Sequence, residues 1–305
     1  FAHPLIFLFL GGFLIAGGIQ NWNLHRRIAL NMVIRLGTRP RNLVAGFMAA
    51  TAFLSMWVSN TATTMLMLPI ALSVIAELGQ RDEDRNFARA LLLGVAYAAS
   101  IGGLATLIGT PPNALLAAFA AESYGIQIGF ARWMAIGLPL ALVLGPLTWL
   151  LLTRLVFPVR DVGQSGGRQL IAEHLRGLGP MTAAERRVGA IFAVTAALWL
   201  LRPMLEELPG LSGLSDTAIA LAGGIAMFVV PSGRPEGGRL MEWRQAATLP
   251  WGTLILFGGG LSLAEAASST GLAAWIGEAL GGLAHMPALL LIAAVRSAPR
   301  FDTRG

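Results

Sequence analysis

The residues best suited to chemistry lie where their polarity is least expected. Residues 55–69 read SMWVSNTATTMLMLP, so Ser55, Ser59, Asn60, Thr61, Thr63 and Thr64 stand inside an otherwise apolar run. A polar group in hydrocarbon costs several kcal/mol unless it finds a partner. A serine or threonine can bond back to the preceding helical turn, which explains Thr63 or Thr64 adequately. Asn60 is harder to satisfy, because an amide brings two donors and two lone-pair sites. A second run, SIGGLATLIGTPPN at 100–113, carries Thr110 and Asn113 around Pro111 and Pro112. Two prolines remove backbone donors and disfavour helical geometry just before them, so a helix arriving at about 108 stops and another starts with proline in its first turn. Such a break frees carbonyls near Ile108 and Gly109 and presents a positive helix end. Hydroxyls, an amide oxygen and loosened carbonyls are ligands for a hard cation such as sodium. Helix N-termini with hydroxyl and amide donors suit an anion beside it.

The elements that must hold these groups are membrane-spanning. Of 305 residues 55% are hydrophobic and only 12% charged, with a mean hydropathy of +0.67. A soluble domain carries about twice that charged fraction. The net charge of +6 comes from arginine alone, and the arginines separate apolar runs rather than forming one basic domain, which argues against a nucleic-acid partner. With no cysteine, thiolate chemistry and disulfides are excluded. No phosphate-binding Gly-rich Lys-Ser/Thr loop is present, and no His/Asp/Glu cluster converges as an enzyme would require.

Apolar runs fall at 4–20, 43–58, 62–78, 88–121, 132–157, 188–205, 217–231, 249–267 and 283–295. Segments 25–42, 80–89, 154–187 and 231–249 hold 17 of the 22 arginines and read as cytoplasmic. Residues 43–79 therefore go in and come back. Their short arms favour a re-entrant hairpin with Ser59, Asn60 and Thr61 near mid-membrane. The stretch 158–183 reads as a polar cytoplasmic linker. Gly-Gly pairs at 11–12, 102–103 and 223–224 read as close helix packing. Residues 9–24 and 257–272 echo each other, with Phe9, Gly11, Gly12, Ala16 and Leu24 matching Phe257, Gly259, Gly260, Ala264 and Leu272. A duplicated architecture with binding at the repeat interface is common among secondary transporters.

With SNT at 59–61 and GTPPN at 109–113 inside apolar runs, the PLIFLFLGGFLIA opening, and PWGTLILFGGGLSLAEA at 250–266, the chain resembles the divalent anion:sodium symporter family, the carriers of dicarboxylates, citrate and sulfate. The resemblance implies an all-α polytopic membrane protein with inverted repeats and re-entrant helical hairpins. It further implies a multi-pass protein of the inner cell membrane, a homodimer at full length, binding a small anion and co-transporting sodium. Carried over residue by residue, sodium falls to Ser55, Ser59, Asn60 and the backbone of Gly109, and the anion to Asn60, Thr61 and Thr110. On that pattern residues 1–157 are a first inverted repeat, truncated at its start, with hairpin 43–79 and broken helix 88–121. Residues 184–305 are an incomplete second repeat in which 283–295 is a lone hairpin arm, lacking the second SNT-type tip, so the chain reads as a fragment. The alternatives within transport are an anion exchanger or an arsenite-type carrier; outside it, a structural membrane subunit.

Overall fold

A computed structural model describes residues 3–37, 39–78, 85–159, 166–211, 213–235 and 237–281. Residues 283–295, expected as a hairpin arm, lie outside that set. The described residues are helical, with a single isolated β-bridge between Pro231 and Arg239. The chain divides into two compact units at Leu254.

The first unit opens with α1 (Pro4–Asn21), capped by His3, whose imidazole accepts from the Leu5 N–H. A left-handed Asn23 turns the chain into α2 (Leu24–Leu36). The sequence marked 25–42 only as an arginine-bearing cytoplasmic segment. It forms a helix because Ala29, Leu30 and Val33 share one face, buried against α3 (Pro40–Ser55). A turn at 56–59 then leads into α4 (Asn60–Leu78), so α3 and α4 make a helical hairpin.

Next come α5 (Arg85–Leu104) and α6 (Pro111–Tyr124), with the chain between them out of helical geometry. α7 (Phe130–Leu150) continues as a π-helix over Leu151–Val156. α8 (Gly166–Gly177) occupies part of the stretch expected to be a polar loop, because its Ile171 is buried in the core of α2–α5. A capping box of Thr182 and Glu185 starts α9 (Ala183–Leu205). α10 (Asp216–Val229) begins at a Ser215 cap, and α11 (Trp243–Ala246) is a single turn. α12 (Trp251–Ser269) crosses the unit boundary, and α13 (Leu272–Gly281) lies wholly in the second unit.

Among the described residues, four helical stretches are long and apolar enough to cross a bilayer: Pro4–Asn21, Arg85–Leu104, Phe130–Val156 and Ala183–Leu205. At about 1.5 Å per residue, the 27 residues of Phe130–Val156 reach about 40 Å, more than the hydrocarbon thickness. The faces of these helices are what lipid requires. Along α7 and its π-helical end, Ile136, Leu142, Val143 and Leu155 are all more than 60% exposed. An aqueous protein rarely exposes so continuous an apolar face. The protein is an all-α, polytopic membrane protein.

Small residues bring the helices together. Gly11 of α1 lies so close to the Ala220 backbone of α10 that no Cβ fits between them, and Gly102 of α5 meets the Ala52 backbone of α3 in the same way. Where lipid is the solvent, such close approach supplies the dispersion contact that burial supplies in water. Each of the three Gly-Gly pairs packs in this manner: Gly224 lies against Gly11 and Leu14, and Gly103 against Asn60.

Candidate ion and anion site

The α3–α4 tip is built from its last helical residue upward. Ser55 ends α3 fully buried, and its hydroxyl donates to Asn60 Oδ1 at 2.6 Å. The turn is held by its own backbone, with Trp57 N–H and Val58 N–H both donating to the Leu54 carbonyl at 3.0 and 2.9 Å. Ser59 then closes the start of α4: its carbonyl accepts from Thr63 N–H at 3.0 Å and its hydroxyl from Ala62 N–H at 3.3 Å. The amides of Asn60 and Thr61, one step earlier, find no acceptor among the described groups. They are the outward donors of this helix end. Thr64 bonds back to the Asn60 carbonyl at 2.8 Å, the cheap arrangement expected of a threonine in a helix.

The chain break between α5 and α6 meets this tip. Sequence pattern placed the end of the incoming helix near 108, but α5 ends at Leu104. The reason is tertiary: the Thr106 hydroxyl donates to the Met56 carbonyl of the tip, and Asn113 reaches back across the break. Its Nδ2 donates to the Gly103 carbonyl at 2.8 Å and to the Thr106 carbonyl at 2.7 Å. The asparagine, 4% exposed, thereby satisfies the Gly103 carbonyl left by the interrupted helix and adds to the bond that the Thr106 carbonyl accepts from Gly109 N–H at 3.4 Å. Thr110 is the N-cap of α6 in extended geometry, but its side chain caps nothing, which leaves the hydroxyl available. Pro111 and Pro112 carry no N–H, so α6 contributes a dipole with few backbone donors.

Glycines set the fit between tip and break. A Cβ on Gly103 would sit 2.6 Å from Asn60 Oδ1, and one on Gly109 would sit 2.5 Å from the Gly103 carbonyl oxygen. Ser55, Asn60, Gly103 and Gly109 thus form one continuous contact. Ser59 and Thr61 lie exposed at the tip, and Thr110 is half-buried at the head of α6. Among the described residues, no charged side chain bonds to this constellation. Sequence reasoning missed the part played by Gly103, Thr106 and Asn113. The signal was present in SIGGLATLIGTPPN, since an asparagine just after a double proline is placed to bond back across the break.

Aromatic packing supports the tip from its other side. The Trp57 ring stacks on Phe130 at 6.0 Å and meets Phe192 edge-on at 4.8 Å, while Phe130 stacks on Trp199 at 4.6 Å.

Comparison with known proteins gives this arrangement a context. The citrate transporter family, CitMHS, matches residues 1–298. The sodium-dependent dicarboxylate transporter SdcS of Staphylococcus aureus (strain USA300) is 40% identical over 301 residues, covering 96% of this chain and 58% of that protein. The protein of the same name from strain bovine RF122 / ET3-1 is 41% identical over the same shares. The chain therefore spans rather more than half the length of these relatives.

Proposed function

The chain belongs to the citrate transporter family, a family of transporters and not of enzymes, and from that premise we propose that it is part of a secondary carrier coupling sodium to the movement of a di- or multivalent anion such as a dicarboxylate, citrate or sulfate. The observation that carries this reading is the contact of the hairpin tip with the α5–α6 break through Asn60. Its Oδ1 already accepts from Ser55, and it faces Gly103 where the helix is interrupted.

In this reading sodium is held by Ser55, Ser59, Asn60 and the Gly109 carbonyl. The anion is held by Asn60, Thr61 and Thr110. Neutral oxygens suit a monovalent cation that must also leave: a full carboxylate in so apolar a setting would bind it too firmly for release. The open N–H groups at the start of α4 and the Thr110 hydroxyl supply donors to the anion, and the sodium beside it offsets its charge. Each ligand thus raises the affinity for the other, and this coupling is what symport needs. The same reading places α3–α4 as a re-entrant hairpin, assigns residues 1–157 and 184–305 to two inverted repeats joined by the 158–183 linker, and takes the carrier as a homodimer in the inner cell membrane.

The test uses the complete gene product in proteoliposomes. An inward sodium gradient should drive succinate uptake in the wild type, and Asn60→Ala should abolish it while membrane insertion stays normal. Uptake that needs an internal counter-anion and ignores sodium would instead make the protein an exchanger.

A further inference from the structure

A cavity of about 470 Å3 opens between the α1–α2 corner and α4. Its polar lining is Gln20, Asn23, His25, Arg26 and Thr63, and its wall includes Val58, the neighbour of Ser59 in the tip. None of the lining residues is acidic.

Three independent features make this cavity attractive to an anion. The first is Arg26, which forms no ion pair among the described residues. Arg27 beside it is committed to Glu185 at 2.9 Å and to the Gly179 carbonyl at 3.0 Å. Arg26 also borders a neighbouring hollow formed with Glu173 and His174 of α8. The second is the start of α2. Asn23 sits in left-handed geometry at φ 56° and its side chain caps nothing, so the positive end of the helix faces the cavity wall uncapped. The third is Thr63, 2% exposed, whose hydroxyl has no hydrogen-bond partner among the described residues. A buried hydroxyl without a partner is costly, and a ligand that accepts its proton removes that cost. His25 adds no charge of its own: burial of the ring holds its pKa below the usual histidine value, and its Nδ1 bonds to the Ile19 carbonyl at 3.0 Å.

We propose that this cavity is a second anion site, independent of sodium, where a small carboxylate rests against Arg26 and Thr63 on its way to or from the hairpin tip. The volume falls within the usual range for small-molecule sites, about 300–1,000 Å3, and admits a carboxylate of four to six carbons with water. The identity of the anion rests on the transport reading above; the existence of the site rests on the cavity.

The experiment measures binding of radiolabelled succinate to the purified complete gene product, with sodium replaced by potassium. Wild type and Asn60→Ala should both show a weak, saturable, sodium-independent component. Arg26→Gln should weaken it about tenfold or more, as expected for loss of a charge-assisted contact, and Arg26→Lys should retain most of it. Thr63→Val, which keeps the shape and removes only the hydroxyl, should weaken it several-fold, and this variant decides the matter if Arg26→Gln does not fold. Absence of the component in wild type, or its survival unchanged in both Arg26→Gln and Thr63→Val, overturns the proposal. Retention of co-purified phosphatidylglycerol that depends on Arg26, without any succinate binding, would overturn it in favour of a lipid headgroup. A sodium-dependent component that survives Asn60→Ala would count against the tip assignment alone.

Discussion

Two polar constellations sit at interruptions of the helical backbone, and they resolve their charge in opposite ways. At the α9–α10 corner, Asp216 accepts from Phe130 N–H at 2.8 Å and pairs with Arg202 Nε at 2.8 Å, while Arg202 also pairs with Glu206. The Trp199 indole donates to the Asp216 carbonyl at 2.9 Å. One guanidinium lies there between two carboxylates and ties α9 to the start of α10, so the corner is a fastener. At the hairpin tip, Ser55, Asn60, Thr106 and Asn113 bring no charge, and the first N–H groups of α4 and the Thr110 hydroxyl stay open to a ligand. A cluster of committed ion pairs holds structure, whereas an uncharged cluster with spare donors and acceptors can admit ions of either sign. Trp57 and Phe130 join the two regions through their stacked rings, so each can be perturbed while the other reports.

The largest effect should come from crowding the tip. Gly103→Ala places a Cβ against Asn60 Oδ1 and displaces the amide, and a misplacement on the order of 1 Å costs about 100-fold in function. Sodium-driven succinate uptake by the complete gene product should fall by about that factor, and normal uptake would break the distinction between site and fastener. Next, Asn113→Ala leaves the Gly103 carbonyl without its partner and the Thr106 carbonyl with only the long bond from Gly109 N–H, and should destabilise the protein by about 1–3 kcal/mol, read as a lowered thermal midpoint. Asp216→Asn is the matching change at the corner. It should lower stability by about 2–3 kcal/mol while the sodium concentration for half-maximal uptake stays at its wild-type value. A shifted sodium dependence would show the corner to be part of the site.

The smallest effect concerns His25. Its folded pKa lies below the ordinary 6.5, held there by burial and, secondarily, by Arg26, so the unfolded chain binds the proton more readily. Stability should therefore be full above about 6.5 and decline as pH falls through the window below it. The difference in thermal midpoint between pH 7.5 and pH 5.5 should be smaller in His25→Gln than in wild type.

Much of this was legible in the residues. Ser59-Asn60-Thr61 and Gly109-Thr110-Pro111-Pro112-Asn113 stand at the starts of α4 and α6, the latter because two adjacent prolines fit the first turn of a helix, where their missing N–H groups cost nothing. The apolar run 4–20 became α1, and 188–205 became most of α9. Four helices outside the apolar runs were not legible: α2, α8, the single turn α11 and α13. α2 and α8 are short and rich in polar residues, and only their packing on the α3–α5 core reveals which face is apolar. Nor was the early end of α5, since the Thr106 bond to Met56 joins residues 50 apart in sequence. In the site, residue types named Asn60 directly, whereas the contact with Gly103 depends on how close two helices come, a distance that no local pattern encodes.

The most direct test of the central claim needs no substrate. A ligand that binds the native state raises its thermal midpoint in proportion to its affinity and concentration. Titrating sodium against a constant total of sodium plus potassium should raise the midpoint of the wild-type complete gene product in a saturable way. Asp216→Asn should start lower and rise by the same amount. Ser55→Ala, which removes the hydroxyl that bonds Asn60 Oδ1, should show no sodium-specific rise. An undiminished rise in Ser55→Ala would contradict the assignment of sodium to the hairpin tip.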